Sequence, residues 1–189
     1  MTLRVSEGPK RALVTGAGAR LGKAMAEALG QDGWSVAVHY RGSMAGAEVT
    51  AETIRAAGGH AELVQADLAD EEQTATLERA AHEALGGPLT LLENSASTFE
   101  DDTALQHSRQ NWDFHMGPNL RAPVLLAQHF ARALPQEEAG LIINMIDMRV
   151  LKLNPLFFTY TLAKSALWTA TRTMAQSFAP TIRVNGIGP

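Results

Sequence analysis

The sequence contains no cysteine. This absence excludes disulfide bonds, thiolate nucleophiles and cysteine-ligated zinc sites together, and it is compatible with a reducing compartment. No segment approaches the ~20 apolar residues that span a bilayer, and the N-terminal MTLRVSEGPKRALVTG has no apolar stretch typical of a secretion signal. We therefore expect a cytoplasmic protein that has no membrane partner.

A large excess of charge is also missing. The formal net charge is only -4, so the chain has no electrostatic field that would attract nucleic acid. The histidines show no metal-ligand spacing with nearby acids, and we predict no metal site. The histidine side chains expected to be structural or solvated are those of His60, His82, His107, His115 and His129.

The chain does have a regular alternation of two kinds of segment. Apolar stretches of strand length alternate with longer stretches of helical spacing, and no repeat, low-complexity run or linker interrupts them. Residues 1–189 suffice for one domain with a sizeable core. Strands are predicted at residues 11–15, 35–40, 61–65, 89–92, 141–145 and 182–187. Six strands joined by five helical crossovers predict an α/β fold with an open, parallel, doubly wound sheet of the Rossmann type.

The helices of this pattern carry further predictions. A first helix follows the residues TGAGARLG, and later helices are predicted at residues 45–57, 71–85, 111–134 and 159–178. Pro118 and Pro123 predict that the helix at 111–134 is bent or starts late. The face of the first helix expected to pack on the sheet consists of Leu21, Met25, Ala28 and Leu29. In such a sheet the ligand crevice lies beyond the carboxyl ends of the strands, where the strand order reverses.

The stretch TGAGARLG places Gly16, Gly18 and Gly22 between the first strand and the first helix. Positive φ angles and close backbone approach at such glycines let amide groups and the helix dipole hold a pyrophosphate. The strand–turn–helix context favours cofactor binding over an ordinary tight turn.

The end of the second strand favours one nicotinamide cofactor over the other. Cofactors without the extra phosphate are usually marked there by an acidic residue, whereas this chain has HYRGS at His39–Ser43. Arg20 and Arg41 together with Ser43 suit a 2′-phosphate, because guanidinium groups form charge-assisted, often bidentate bonds. Either arginine alone could be a solvated surface charge, but the pair favours NADPH.

Three more polar residues follow strand ends or lie close behind them. Asp67 could accept a hydrogen bond from the adenine amino group, or it could cap a helix or turn. Tyr160 and Lys164, in YTLAK, lie four residues apart on one helical face. A nearby cation stabilises phenolate and so helps a phenol with a pKa of about 10 to donate a proton. Lys164 could supply that charge and also bond the nicotinamide ribose.

These motifs, taken together, resemble those of the short-chain dehydrogenase/reductase family. TGAGARLG, ENSAS at residues 93–97, NL at 119–120, YTLAK and RVNGIGP fall in the family's order and cover nearly the whole chain. The resemblance implies that Asn94 begins the motif closing the fourth strand, and that Asn119 holds a water in a proton relay to Lys164. The cofactor contacts predicted in full are Gly16, Gly18, Arg20, Leu21, Gly22, His39, Tyr40, Arg41, Ser43, Asp67, Leu68, Asn94, Ser95, Ala96, Lys164 and Pro189.

Two departures from the common pattern resemble the pteridine reductases and dihydromonapterin reductases. Arg20 stands where most of the family has glycine, and Asp147, in INMIDM, stands at the position of a catalytic serine. This branch implies that Phe99 stacks on a pterin and that Ser97 lies near both the cofactor phosphate and the pterin. From the residues alone, Asp147 could instead be a loop cap and Phe99 a half-buried hydrophobe.

The resemblance leads us to expect NADPH to give a hydride to a dihydropterin while Tyr160, tuned by Lys164 and coupled to Asp147, supplies the proton. The predicted catalytic residues are Asn119, Asp147, Tyr160 and Lys164. The predicted substrate contacts are Ser97, Phe99, Asp147 and Tyr160. One alternative is a carbonyl or 3-oxoacyl reductase that keeps Tyr160 and Lys164, and a second is a non-catalytic nucleotide-binding protein.

Other features depart from the family. Glu93 occupies a strand position that is normally apolar, so we expect it to face solvent, pair with a cation or mark an altered function. Ser95 stands where a second asparagine is usual. The family continues beyond the position of Pro189 through a substrate loop, a helix and a last strand, which this chain is expected to lack.

The helices at 111–134 and 159–178 resemble the family's dimer and tetramer interface, so we expect a homo-oligomer. Apolar surface there could come from Leu167, Trp168 and Met174, although packing within the chain would explain these three residues equally well.

Overall fold

A computed structural model describes residues 9–189, so the first eight residues of the stretch predicted to lack a secretion signal lie outside the described part. Six strands form one parallel sheet in the order β3-β2-β1-β4-β5-β6. They are β1 (Arg11–Val14), β2 (Ser35–Tyr40), β3 (His60–Gln65), β4 (Leu91–Asn94), β5 (Gly140–Met145) and β6 (Ile182–Ile187). The order reverses between β1 and β4, which confirms the predicted doubly wound α/β sheet.

The helices cover both faces of this sheet. They are α1 (Arg20–Gln31), α2 (Met44–Ala56), α3 (Glu71–Ala84), α4 (Arg109–Met116), α5 (Ala122–Ala133) and α6 (Phe158–Ser177). Because successive strand residues point to opposite faces, Val14 packs with α1 and α2, whereas Leu13 packs in the cluster formed by α3, α5 and α6. Each such large apolar side chain contributes roughly 1.5–3 kcal/mol by leaving water. None of the helices within residues 9–189 is long and apolar enough to cross a bilayer.

The packing face of α1 differs from the prediction. Leu21 is 51% exposed and Ala28 is also exposed, whereas the buried residues of this helix are Gly22, Ala26 and Gly30. A Cβ atom on Gly30 would lie 2.6 Å from a side-chain carbon of Ile54, so only glycine allows α1 and α2 to approach this closely. The prediction was right for Leu29, which packs against the core cluster, and wrong for Leu21 and Ala28, because the close contact with α2 is made by glycine.

The long helix predicted at residues 111–134 is interrupted rather than shortened at its start. It begins earlier, at Arg109, after a capping box in which Ser108 and Asn111 each accept a hydrogen bond from the other's backbone N–H. A π-helical turn, Gly117–Arg121, then separates α4 from α5. Proline 118 lies within this turn, because its ring lacks the N–H that a continuous α-helix requires.

Two further predictions are changed by packing. The fourth strand begins and ends two residues later than predicted, because Glu93 and Asn94 continue its ladder beside Ile143 and Asn144. On α6, Leu167 is fully buried and Met174 packs in the core cluster, so neither offers surface to a partner subunit.

Candidate cofactor and substrate site

A cavity of about 550 Å³ opens at the carboxyl ends of the strands, where the strand order reverses. Sixteen of the predicted site residues line it: Gly16, Arg20, Leu21, Gly22, His39, Arg41, Asp67, Leu68, Ser95, Ala96, Ser97, Phe99, Asp147, Tyr160, Lys164 and Pro189. The predicted residues that do not line it are Gly18, Tyr40, Ser43, Asn94 and Asn119. Its lining also includes residues without a predicted role, among them Thr98 and Arg149.

The glycine turn forms one wall of the cavity. Gly16 has a φ of +66°, and a Cβ atom there would lie 2.8 Å from the Cα atom of Ala96, in the loop after β4. A Cβ atom on Gly22 would lie 2.4 Å from the carbonyl oxygen of Gly16. Gly18 instead packs against the start of α2, where its Cβ atom would lie 3.2 Å from the backbone nitrogen of Ala47. Two glycines therefore close the turn at the cavity, and the third allows α2 to approach it.

His39 braces this turn from behind. The backbone N–H of Gly16 donates to its Nδ1 atom at 3.0 Å, so the ring proton is on Nε2, which donates to the Ala66 carbonyl at 3.1 Å. Burial lowers the pKa of His39 to about 4, although the Ala66 hydrogen bond and the Asp67 charge act in the opposite direction. The neutral imidazole thus ties together the ends of β1, β2 and β3.

Thr15 has a similar bracing role that the sequence did not indicate. Its hydroxyl donates to the Glu93 carbonyl at 3.2 Å and accepts from the backbone N–H groups of Ser95 and Ala96, at 2.9 and 3.0 Å. Since Ser95 and Ala96 line the cavity, Thr15 fixes the loop after β4 against the end of β1. The partners are 78 to 81 residues away in the chain, which explains why no local pattern marked them.

Asn94 and Asn119 support the cavity wall from inside the protein. The Asn94 amide donates to Asn144 Oδ1 at 2.8 Å, and the Asn144 amide donates to Thr171 at 2.9 Å, so this chain of bonds joins β4, β5 and α6. Asn119 is fully buried and accepts from the Ser97 hydroxyl at 2.8 Å and from the Thr98 N–H at 3.1 Å. Its side chain therefore shapes the loop after β4.

Tyr160 and Lys164 lie side by side on α6, but each has its own hydrogen-bond partner. The Tyr160 hydroxyl donates to Asp147 Oδ2 at 3.1 Å, and the Lys164 ammonium donates to the Met145 carbonyl at 2.8 Å. Burial, and then the Asp147 charge, raise the pKa of Tyr160, so the phenol is protonated at neutral pH. Burial lowers the pKa of Lys164 to about 8, against the effect of Asp147. The site thus holds a protonated phenol next to a carboxyl group.

Asp147 is both a loop cap and a partner of Tyr160, so the two interpretations open from the sequence coexist. Its Oδ1 atom accepts from the Arg149 backbone N–H at 2.8 Å and so caps the 3₁₀ turn at Met148–Val150. Its Oδ2 atom lies 3.5 Å from the Arg149 guanidinium as well as accepting from Tyr160. Arg149 was missed by the sequence reasoning, and its position two residues after Asp147 was the available signal.

Phe99 lies next to Tyr160, and the Arg149 guanidinium is 5.2 Å from the centroid of the Phe99 ring. Phe99 is 48% exposed, lines the cavity and meets the Tyr160 ring edge-on, with 4.8 Å between ring centroids. One face of Phe99 is stacked on Phe157 at 4.2 Å. Phe157 has a φ of +57°, a conformation that bulky residues rarely adopt. The Phe99 ring is therefore held by stacking on Phe157, and it lies next to Tyr160.

Glu93 is buried next to the site, with 2% of its surface exposed. Its neighbours on the adjacent strands are Val14 and Ile143, and burial raises its pKa to about 7. Within residues 9–189 its Oε1 atom has no hydrogen-bond partner, and the carboxyl group has no salt bridge. The expectations that it faces solvent or pairs with a cation were therefore wrong.

The family model described as short chain dehydrogenase matches residues 10–189. The chain belongs to the short chain dehydrogenase family.

Similar proteins narrow the branch within this short chain dehydrogenase family. A crystal structure of FolM alternative dihydrofolate reductase 1 from Brucella canis, complexed with NADP, is 46% identical in sequence with a TM-score of 0.90, and the match covers 95% of this chain and 72% of that one. This likeness supports the predicted pteridine reductase branch.

Other relatives of this short chain dehydrogenase have different names. An uncharacterized oxidoreductase of Methylorubrum extorquens is 35% identical over 185 residues, which are 95% of this chain and 72% of the relative. The 3-oxoacyl-[acyl-carrier-protein] reductase FabG of Staphylococcus aureus is 30% identical over 181 residues, which are 95% of this chain and 73% of the relative.

Proposed function

We propose that this short chain dehydrogenase is an NADPH-dependent reductase that converts a dihydropterin to a tetrahydropterin at a ring C=N bond. The observation that carries the proposal is the hydrogen bond from the Tyr160 hydroxyl to Asp147 at the cavity wall, with the ring of Phe99 edge-on to the phenol ring at 4.8 Å. A protonated phenol, an acidic partner and an exposed aromatic face together suit a flat ring that must be both stacked and protonated.

The cavity residues fit NADPH. Gly16 and Gly22 leave the backbone open at the start of α1, where a pyrophosphate is stabilised by N–H groups and the helix dipole. Arg20 and Arg41 line the cavity, and no acidic residue stands at the end of β2 to compete for the ribose hydroxyls. The likeness to the Brucella canis protein complexed with NADP supports the same cofactor. When bound, NADPH supplies the hydride.

The protein supplies the proton. Tyr160 is protonated at neutral pH, so its hydroxyl can donate once it turns from Asp147 towards a ring nitrogen. Donation would leave a phenolate beside the Asp147 carboxylate, and the two negative charges would repel each other. Because Asp147 lines the cavity, a proton taken up from solvent at its carboxylate can be passed to the phenolate, which restores the phenol and removes the repulsion. The Lys164 ammonium, which donates to the Met145 carbonyl, adds a positive charge 5.8 Å from the centroid of the Tyr160 ring.

A substrate panel tests this proposal. NADPH oxidation is followed with dihydrobiopterin, dihydrofolate and a β-ketoacyl thioester in parallel, in wild type and in Asp147→Ala and Tyr160→Phe variants. We expect turnover of a dihydropterin that falls at least about 100-fold in each variant, the usual range for removing a general acid or its partner. If both variants keep the wild-type rate, the assignment of the proton donor is wrong.

A carbonyl or 3-oxoacyl reductase is the second candidate. The likeness to Staphylococcus aureus FabG favours it, because that relative carries the name of a ketone-reducing enzyme. Turnover of only the thioester would support this activity. Tight NADPH binding without any turnover would instead favour a non-catalytic nucleotide-binding protein.

The assembly and location of the protein are also proposals. A homo-oligomer formed through α4, α5 and α6 would agree with the family resemblance, and Trp112 on α4 is an exposed aromatic side chain available to it. Light scattering coupled to size-exclusion chromatography would test this, with a mass of two or four chains expected. We propose a cytoplasmic location for a single-domain enzyme of this kind.

A further inference from the structure

A buried hydrogen-bonded network lies beside the site and has no part in the chemistry described above. His115 is fully buried, and its Nδ1 atom lies 2.7 Å from the Thr159 hydroxyl. Its Nε2 atom accepts from the backbone N–H of Glu100 at 3.0 Å. Asp102, also buried, accepts from the Thr159 N–H at 3.1 Å through one carboxylate oxygen and from the Thr159 hydroxyl through the other.

Burial lowers the pKa of His115, which favours a neutral ring, and the Asn111 backbone on the same helix is a further hydrogen-bond partner of the imidazole. Because Nε2 of His115 accepts from an N–H group, a neutral ring must carry its proton on Nδ1. Nδ1 therefore donates to the Thr159 hydroxyl, whose own proton goes to the Asp102 carboxylate. In this arrangement the Glu100 N–H, the His115 ring N–H and the Thr159 hydroxyl each have an acceptor.

Both ends of the network attach next to residues of the proposed site. Glu100 directly follows Phe99, and Thr159 directly precedes Tyr160. The rings of Phe99 and Tyr160 touch edge-on at 4.8 Å, and the His115 ring lies 6.0 Å from that of Tyr160. Through these bonds His115 links the backbone of Glu100, next to Phe99, to the side chain of Thr159, next to Tyr160.

Asp102 also supplies the cap that α6 lacks locally. The N-cap residue, Phe157, makes no side-chain hydrogen bond to the helix. The Asp102 carboxylate accepts from the N–H of Thr159 instead, and its backbone carbonyl accepts from the N–H of Phe158 at 3.4 Å. A carboxylate at this position satisfies free N–H groups and complements the positive end of the helix dipole. The first turn of α6, which carries Tyr160, is therefore anchored to the loop that carries Phe99.

We propose that His115, Thr159 and Asp102 are positioning residues that fix the distance and angle between Phe99 and Tyr160. This inference rests on the proposed function, because the alignment of a stacked ring with its proton donor matters only if both residues serve one substrate. None of the three lines the cavity, so they act through their neighbours.

The network should affect the rate of reduction more than the binding of the cofactor. Small misplacements of reacting groups cost about 100-fold in rate. Thr159→Val removes the hydroxyl with almost no change in shape, and we expect roughly a 10- to 100-fold lower kcat. The glycine turn lies outside the network, so the Kd for NADPH should stay within about twofold of wild type.

The test compares four variants in the whole protein. Thr159→Val breaks the network, and Thr159→Ser restores the hydroxyl. Asp102→Asn places a donor against the Thr159 hydroxyl and serves as a second, milder disruption. Thr173→Val is the matched control, because Thr173 is exposed on the same helix and bonds only the preceding turn. Kinetics with dihydrobiopterin, NADPH binding by protein fluorescence, and hydrogen exchange of residues 97–102 and 157–164 are measured for each.

We expect Thr159→Val and Asp102→Asn to lower kcat and to speed exchange in both segments, while Thr159→Ser recovers both properties and Thr173→Val changes neither. Unchanged kcat, equal damage in the serine variant, or faster exchange near residue 159 alone would overturn the proposal. If wild type reduces a ketone but no pterin, the proposed function fails. The kcat values of the same four variants with the ketone then show whether the network positions Phe99 and Tyr160. If wild type reduces nothing, the exchange of both segments still decides whether the two are coupled.

Discussion

Glu93 offers a quantitative test of the packing in the centre of the sheet. Glu93 is paired with Val14 and Ile143 on the neighbouring strands, is 2% exposed, and has a carboxyl oxygen with no hydrogen-bond partner among residues 9–189. Burial raises its pKa to about 7 from an ordinary value of 4.5. Between these two pH values the folded protein keeps a proton on Glu93 that the unfolded chain has already released.

The sign and size of the effect follow from this difference. Because the folded state binds more protons across this range, the free energy of unfolding falls as the pH rises from 4.5 to about 7. A pKa difference of this size corresponds to about 3 kcal/mol. Glu93→Gln removes the titration while keeping the shape, so it should stabilise the protein by about 3 kcal/mol more at about pH 8 than at about pH 5.

The assay is urea unfolding of wild type and variant at both pH values, with Glu48→Gln as control because Glu48 is exposed on α2. Subtracting wild type at each pH removes the contributions of all other groups. The control should show no such difference. A Glu93→Gln effect that is the same at both pH values would mean that this carboxyl group is solvated or paired in the folded protein, and the description of its burial would be wrong.

Three further predictions concern the cavity wall. Arg20→Ala and Arg41→Ala should each raise the Kd for NADPH about 10-fold or more and leave NADH binding nearly unchanged, since charge-assisted bonds to a phosphate contribute about 1.5–3 kcal/mol; equal losses for both cofactors in a fluorescence titration would contradict this. The pKa of His39, about 4, lies below its ordinary 6.5, so wild type should lose up to about 3 kcal/mol of unfolding free energy as the pH falls from 6.5 towards 4, and His39→Leu should lack this acid dependence in urea unfolding. Gly22→Ala should destabilise the protein by about 1–3 kcal/mol in the same assay, because its Cβ atom would meet backbone, while Gly42→Ala, which points into open space, should be neutral.

Much of the fold could be predicted because it depends on local patterns. The alternation of short apolar and longer helical segments predicted six strands and their parallel arrangement, and the glycines after β1 predicted where the cavity opens. The packing face of α1 could not be predicted in the same way. Gly22 and Gly30 lie on this face because other parts of the chain approach them closely, and a glycine has no side chain that a hydrophobic pattern could detect. Pro118 did predict a bend in the helix at residues 111–134, and the structure has a π-helical turn at that position.

In the candidate site, too, residues with a local motif could be predicted and residues that act through distant contacts could not. Tyr160 and Asp147 were found by motif, and they meet in a hydrogen bond. Residues that hold such groups in place had no local signature. Thr15 bonds residues about 80 positions away, and Asp102 caps a helix that starts more than 50 positions later. A histidine such as His115 looks like any solvated side chain in the sequence, and only the fold reveals that both ring nitrogens are used.

The most direct test is the rate of a single turnover, with dihydrobiopterin mixed against saturating NADPH, in wild type and in Asp147→Asn. Asparagine keeps the size of the side chain and can still bond Tyr160, but it cannot pass a proton. We expect a fast hydride transfer in wild type and a rate at least about 100-fold lower in the variant, with NADPH binding unchanged. An equal rate in the two proteins would contradict a proton path through Tyr160 and Asp147, and no hydride transfer to dihydrobiopterin in wild type would contradict the assignment of this cavity to pterin reduction.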